Sequence, residues 1–134
     1  MLARAQKIAT GTGGSACVVI DPAAAVDGAD VLATDTWVSM GTMSAEGEAA
    51  ARRAPLEPYA LDEAAVARAA PSAVVLHCLP AYRGQEIAAA VLDGSHSAVW
   101  DEAENRLHAQ KALLTWLLVR SGTDPGSRAE GIGP

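Results

Sequence analysis

Short apolar runs, each cut off by polar residues, Gly or Pro, recur along this chain. Residues 16–20, 30–34 and 73–77 are mostly apolar and rich in Val, and they predict buried strands. The run at 73–77 stops at His77-Cys78-Leu79-Pro80, where Pro80 has no N–H for a ladder. Helical stretches lie between the runs. Residues 2–9 predict a short helix ending at Gly11-Thr12-Gly13-Gly14. Asp21 and Pro22 open a small helix as cap and first-turn residue, and Gly28 closes it. Residues 44–54 are polar, Ala-rich and helical in pattern, and Pro55 and Pro58 break the chain after them. Asp62 caps a helix over 63–70, and 85–92 predicts another, stopped by Asp93-Gly94. Residues 97–100 read as extended, a shorter fourth strand. The longest helix spans 103–119. Ala103, Leu107, Leu114 and Leu118 share one face, interrupted by Lys111, while Ala109, Ala112, Leu113 and Trp116 form a second apolar side.

Strands alternating with helices imply parallel pairing through right-handed crossovers. The predicted class is α/β, a doubly wound, Rossmann-like parallel sheet with flanking helices and a long C-terminal helix. Three strands and a short fourth are few for such a sheet.

At 134 residues the chain holds at most one ordinary domain, and 50% hydrophobic residues permit a real core. Phenylalanine is absent, so that core is expected to be built mainly from aliphatic residues and the three Trp. A net charge of -6 argues against a nucleic-acid footprint. No apolar run reaches the length of a membrane span, and the basic start lacks the apolar core of a signal peptide. Two cysteines outside any Cys-x-x-Cys pair give no disulfide framework, and a cytoplasmic location is the default expectation. Cys17, within the run at 16–20, reads as a small buried hydrophobe. Residues 121–134, rich in Gly, Ser, Pro and charge, are expected to be a disordered tail.

Candidate chemistry gathers at the carboxyl ends of two predicted strands, where open α/β sheets bind ligands. One loop carries Asp35, Ser39, Met40 and Gly41; the other carries Cys78 and Leu79. Asp35 suits an ammonium group; its plain alternative is a turn cap. Cys78 suits a reaction centre; its plain alternative is an inert thiol. Arg106, early in the long helix, suits an anion or carbonyl oxygen, or an ion pair with Glu102 one turn away. His77 neighbours Cys78, so in an extended segment its side chain points to the opposite face. It is expected to be a hydrogen-bonded structural residue rather than half of a Cys–His dyad. The glycines at 11–14 precede a strand, whereas a phosphate cradle follows one. His77, His96, His108, Cys17 and Cys78 lack zinc-ligand spacing, so no metal is expected. Arg52-Arg53 reads as a solvated helix end, and Asp101 and Glu102 as helix-start residues rather than a glycosidase pair.

Three motifs occur in order: Asp35-x-Trp37-x-Ser39-Met40-Gly41, His77-Cys78-Leu79-Pro80 and Glu102-Ala103-Glu104-Asn105-Arg106. Together they resemble the ornithine-binding half of the aspartate/ornithine carbamoyltransferase family over roughly residues 15–118. The resemblance implies transfer of a carbamoyl group from carbamoyl phosphate to the side-chain amine of L-ornithine. The products are L-citrulline and phosphate, in arginine biosynthesis, with no cofactor. It implies that Asp35, Ser39 and Met40 bind the amino-acid end of the substrate and that Cys78 lies at the reaction centre. It also implies that the Leu79 carbonyl receives the carbamoyl NH₂ and that Arg106 reaches the carbamoyl oxygen. No acyl-enzyme is needed, because the substrate's amine is the nucleophile. Complete members of the family are trimer-based homo-oligomers with a first domain that binds carbamoyl phosphate through a Ser-Thr-Arg-Thr loop. That sequence is not found here. Residues 1–120 are therefore expected to be a truncated ornithine-binding domain, inactive by itself. Tyr82 stands where the family often has His, which puts any pH-dependent role of that position in doubt. Two alternatives stay open: a relative using another amine, and a non-catalytic binding or interaction module derived from the enzyme. An aspartate-specific site fits less well, since it would want cations rather than the Ser39-Met40-Gly41 loop.

Overall fold

The computed structural model describes residues 1–38 and 46–122. Ser39, Met40 and the predicted disordered tail lie outside the described residues, except for Ser121 and Gly122. In chain order the helices are α1 (Leu2–Thr12), α2 (Pro22–Val26), α3 (Glu46–Arg53), α4 (Glu63–Arg68), α5 (Ala89–Leu92) and α6 (Val99–Arg120). The strands are β1 (Val31–Thr34), after α2, and β2 (Val74–His77), after α4. A 3-10 stretch, Ala54–Tyr59, follows α3 and contains both predicted chain breakers.

Among the described residues, β1 and β2 form one two-stranded parallel sheet. Val31 lies opposite Val74 and Thr34 opposite His77. Leu32 and Val75 sit side by side in this register and are both buried. With Leu61, Ile87, Val91, Leu92 and Val99 they make the core. Local chemistry sets the helix starts on this frame. The Ala23 N–H donates to Asp21 Oδ1 at 3.0 Å, and the Ala65 N–H donates to Asp62 Oδ1 at 2.8 Å. Gly94 ends α5 at a position where a Cβ would collide with the Ala90 carbonyl oxygen.

Four expectations need correction. Residues 16–20 are not a strand, and Cys17 is exposed rather than buried. Val18 and Ile20 are exposed as well. Strand propensity becomes a strand only where a neighbour supplies ladder partners, and this segment joins no ladder among the described residues. Second, residues 85–88 are not helical. The Leu61 N–H donates to the Glu86 carbonyl, and the Ala88 N–H donates to the Leu61 carbonyl, each at 2.9 Å. These bonds, with a turn over 84–86, keep the segment out of a helix, and Glu86 and Ile87 are buried. Third, extension over 97–100 shrinks to a bridge between Ser97 and Val75, because α6 begins at Val99. Finally, α1 outruns its predicted end and stops at Gly13, whose φ of 76° gives the left-handed cap.

Along α6 only Val99 is buried. Leu107 is 66% and Leu114 60% exposed on one side, while Leu113 is 55% and Trp116 52% exposed on the other. Among the described residues neither apolar side of this helix is covered. Arg120 lies over the Trp116 ring at 4.6 Å from its centroid, which shields part of that ring.

Two outcomes follow. The purified chain should bind a hydrophobic dye and elute above monomer mass, because α6 leaves a contiguous apolar surface in water. A dye-negative monomer with sharp thermal unfolding would contradict this. Cys17→Ser should change the unfolding free energy by less than about 0.5 kcal/mol, the range of surface substitutions, in urea titration.

Candidate active site

Parallel register builds the site. Thr34 and His77 end their strands as partners, so the next residues, Asp35 and Cys78, emerge side by side at the carboxyl edge. The Cys78 thiol donates to Asp35 Oδ1 at 3.1 Å, and the Thr36 N–H donates to the same oxygen at 2.7 Å. These two bonds, with His77 nearby, hold the Asp35 carboxyl below its usual range. The same contact raises the Cys78 thiol, as do its partial burial and the charges of Asp35 and Glu102; Arg106 opposes them. At neutral pH the arrangement is an exposed carboxylate beside a protonated thiol. A protonated thiol is a hydrogen-bond donor and a poor nucleophile.

Behind this pair lies a buried one that sequence reasoning missed. His77 Nδ1 accepts the Leu79 N–H at 2.9 Å, so its hydrogen resides on Nε2. Nε2 donates to Glu86 Oε1 at 3.2 Å, with both side chains fully buried. Glu86 Oε1 also accepts the Tyr82 N–H at 2.5 Å. Its Oε2 is buried with no hydrogen-bond partner among the described residues. Glu86 was assigned to a helix in the sequence, so its approach to His77 left no local signal. The expectation for His77 holds as to burial and hydrogen bonding. A ring nitrogen nevertheless comes within 4.8 Å of the Asp35 and Cys78 donor atoms. The strand ends at His77 and the chain turns at Leu79, whose φ is 57°.

The three donor atoms of Asp35, His77 and Cys78 are close enough to converge on a cation. Their chemistry does not suit one as they stand. The thiol keeps its proton, one imidazole nitrogen carries a hydrogen and the other accepts the Leu79 N–H.

Arg106 reaches the site from α6. Its Nη2 donates to the Cys78 carbonyl at 2.8 Å, and Glu102 Oε2 accepts the His77 N–H at 2.9 Å. The two side chains therefore bond to the end of β2 rather than to each other. The Leu79–Pro80 peptide bond is cis. Beyond it, Arg83 grips both Asp93 oxygens at 2.9 and 3.0 Å, and Gly84, at a φ of 80°, turns the loop toward Glu86. A cleft of about 800 Å³ follows the free edge of β1 and meets this cluster only at Asp35. It reflects an unpaired sheet edge, and the chemistry belongs to the strand ends beside it.

The profile of the aspartate/ornithine carbamoyltransferase Asp/Orn binding domain matches residues 1–117. The chain belongs to that family. It is 68% identical over 110 residues to an ornithine carbamoyltransferase of Renibacterium salmoninarum, covering 82% of this chain and 34% of that protein. A Leifsonia xyli ornithine carbamoyltransferase is 57% identical over 123 residues, covering 92% and 38%. The solved ornithine carbamoyltransferase of Pyrococcus furiosus superposes with a TM-score of 0.75 at 47% identity, covering 83% of this chain and 34% of that one. The chain thus spans about a third of the length of the carbamoyltransferases it matches, and it shares their Rossmann-like fold.

The site's electrostatics are testable without substrate. Iodoacetamide should alkylate Cys78 only at higher pH than an ordinary thiol, and Asp35→Asn should move that profile downward, since it removes the dominant raising influence. An unmoved profile would mean that the Cys78–Asp35 contact does not form in solution.

Proposed function

We propose that this chain supplies the amino-acid-binding half of an ornithine carbamoyltransferase site. The observation that carries the proposal is the meeting of Asp35, Cys78 and Arg106 at adjacent strand ends, with the Cys78 thiol on Asp35 and Arg106 on the Cys78 carbonyl. The ionised Asp35 offers a counter-charge for the α-ammonium of L-ornithine, and so orients the side-chain amine. The Cys78 thiol lies beside that amine, which attacks as the neutral form. As the amine nitrogen bonds to the carbamoyl carbon of carbamoyl phosphate, negative charge grows on the carbonyl oxygen. The guanidinium of Arg106, anchored through Nη2, presents its remaining N–H groups to that oxygen. Collapse breaks the carbon–oxygen bond to phosphate, the nitrogen gives up its proton, and L-citrulline and phosphate leave. Ser39, Met40 and the Leu79 carbonyl complete the substrate contacts in this reading.

Binding of the leaving phosphate falls to a first domain of the kind the family resemblance implies. The uncovered sides of α6 support the packing of such a domain there, within a trimer-based homo-oligomer in the cytoplasm. Among the described residues no helix is long and apolar enough to cross a membrane.

The test is citrulline formation. The 134-residue chain alone should give none above background at saturating substrates. Supplying the carbamoyl-phosphate half of a complete relative as a separate chain should restore turnover. In that mixture Asp35→Asn should lower kcat/KM for ornithine about ten- to a hundredfold, the worth of one charge-assisted hydrogen bond. Equal kcat/KM for both forms would reduce Asp35 to a turn cap.

A further inference from the structure

The outer edge of β2 has a partner along only part of its length. The Val75 N–H donates to the His96 carbonyl at 2.7 Å, and the Ala98 N–H donates to the Val75 carbonyl at 2.9 Å. Two residues further on, the His77 N–H points to the same edge, as strand periodicity requires. By then the facing chain has already turned into α6 at Val99. Glu102 fills the gap. Its Oε2 accepts the His77 N–H at 2.9 Å, continuing the ladder with a side chain. One helical turn later, Arg106 takes the Cys78 carbonyl at 2.8 Å. Opposite charges at this i,i+4 spacing ordinarily pair with each other. Here each takes a main-chain group instead, and the two groups bracket Cys78.

We propose that Glu102 is a positioning residue for the carbamoyl-transfer site: by holding the His77 N–H it fixes the backbone that carries Cys78 and leaves Arg106 to the Cys78 carbonyl. The inference rests on the functional reading above, in which Cys78 and Arg106 face the reacting carbon. Glu102 is half-buried, and an unpaired N–H at this strand end would be costly. No other acceptor for that N–H is present among the described residues. A second effect comes with the position. The carboxylate adds negative charge near the thiol, alongside Asp35 and against Arg106. His77, backed by Glu86, completes the set of titratable groups around Cys78. A glutamine at 102 would keep the accepting oxygen and lose the charge; an alanine would lose both.

Those two variants separate the roles in the 134-residue chain itself. Amide exchange at His77, followed by NMR, should be about tenfold faster in Glu102→Ala, and Glu102→Gln should return most of the protection. In Glu102→Gln the pH profile of Cys78 alkylation should shift downward, because a raising charge is gone. Cys17, exposed in the same molecule, is the internal reference and should keep its profile. Unchanged His77 exchange in Glu102→Ala would overturn the proposal. So would His77 exchange in Glu102→Gln as fast as that of an unprotected amide, and this second measurement decides alone if the alanine variant does not fold. Neither readout involves substrate, so failure here would leave the carbamoyl-transfer reading to its own assay.

Discussion

Everything at the site depends on one pairing, the parallel ladder in which Thr34 meets His77. That register puts two strand ends at the same height. A shift of one residue would separate Asp35 from Cys78 by a strand rise of about 3.3 Å and turn side chains to the wrong face. The ladder is short, so its register needs outside support. The Leu32–Val75 contact in the core provides it from below. From the side, the Val74 N–H bonds to the Asp30 carbonyl at 3.0 Å, and the Ala70 N–H bonds to the Ala29 carbonyl at 3.0 Å.

Around this ladder, charge is arranged in layers of different exposure. Asp35 stands in water, where a carboxylate is stable without a cation. The Cys78 thiol lies one hydrogen bond inward. His77 and Glu86 lie fully inside, where a carboxyl group needs hydrogen bonds. It accepts them from the imidazole and from a main-chain N–H. The inner pair fixes the imidazole tautomer, and the tautomer lets His77 receive the Leu79 N–H, shaping the turn that follows the thiol.

Much of this was legible in the sequence, for local reasons. Asp21 and Asp62 announced their helices through capping, and both caps form. The apolar runs at 30–34 and 73–77 became β1 and β2, and the longest helix was visible from its periodicity. Asp35, Cys78 and Arg106 were located by ordered motifs, and the structure brings the three together. What stayed hidden depends on partners distant in sequence. The run at 16–20 has the composition of a strand but joins no ladder among the described residues. Glu86 looked like part of a helical pattern because nothing nearby reveals that Leu61 bonds to the main chain on either side of Ile87. Glu102 looked like an acid placed to suit a helix start, which it also is. Its second employment, on the end of a strand, is a tertiary fact.

The loop after Pro80 carries a lesson about tolerance to change. Glu86 is held by the main-chain N–H of residue 82, while the Tyr82 side chain is exposed at 39%. The contact to Glu86 is therefore made by the backbone at this position and not by the side chain. Any amino acid with an amide hydrogen satisfies the buried acid; only proline is barred. An aromatic ring in place of an imidazole at residue 82 therefore leaves the hydrogen bond to the buried acid in place.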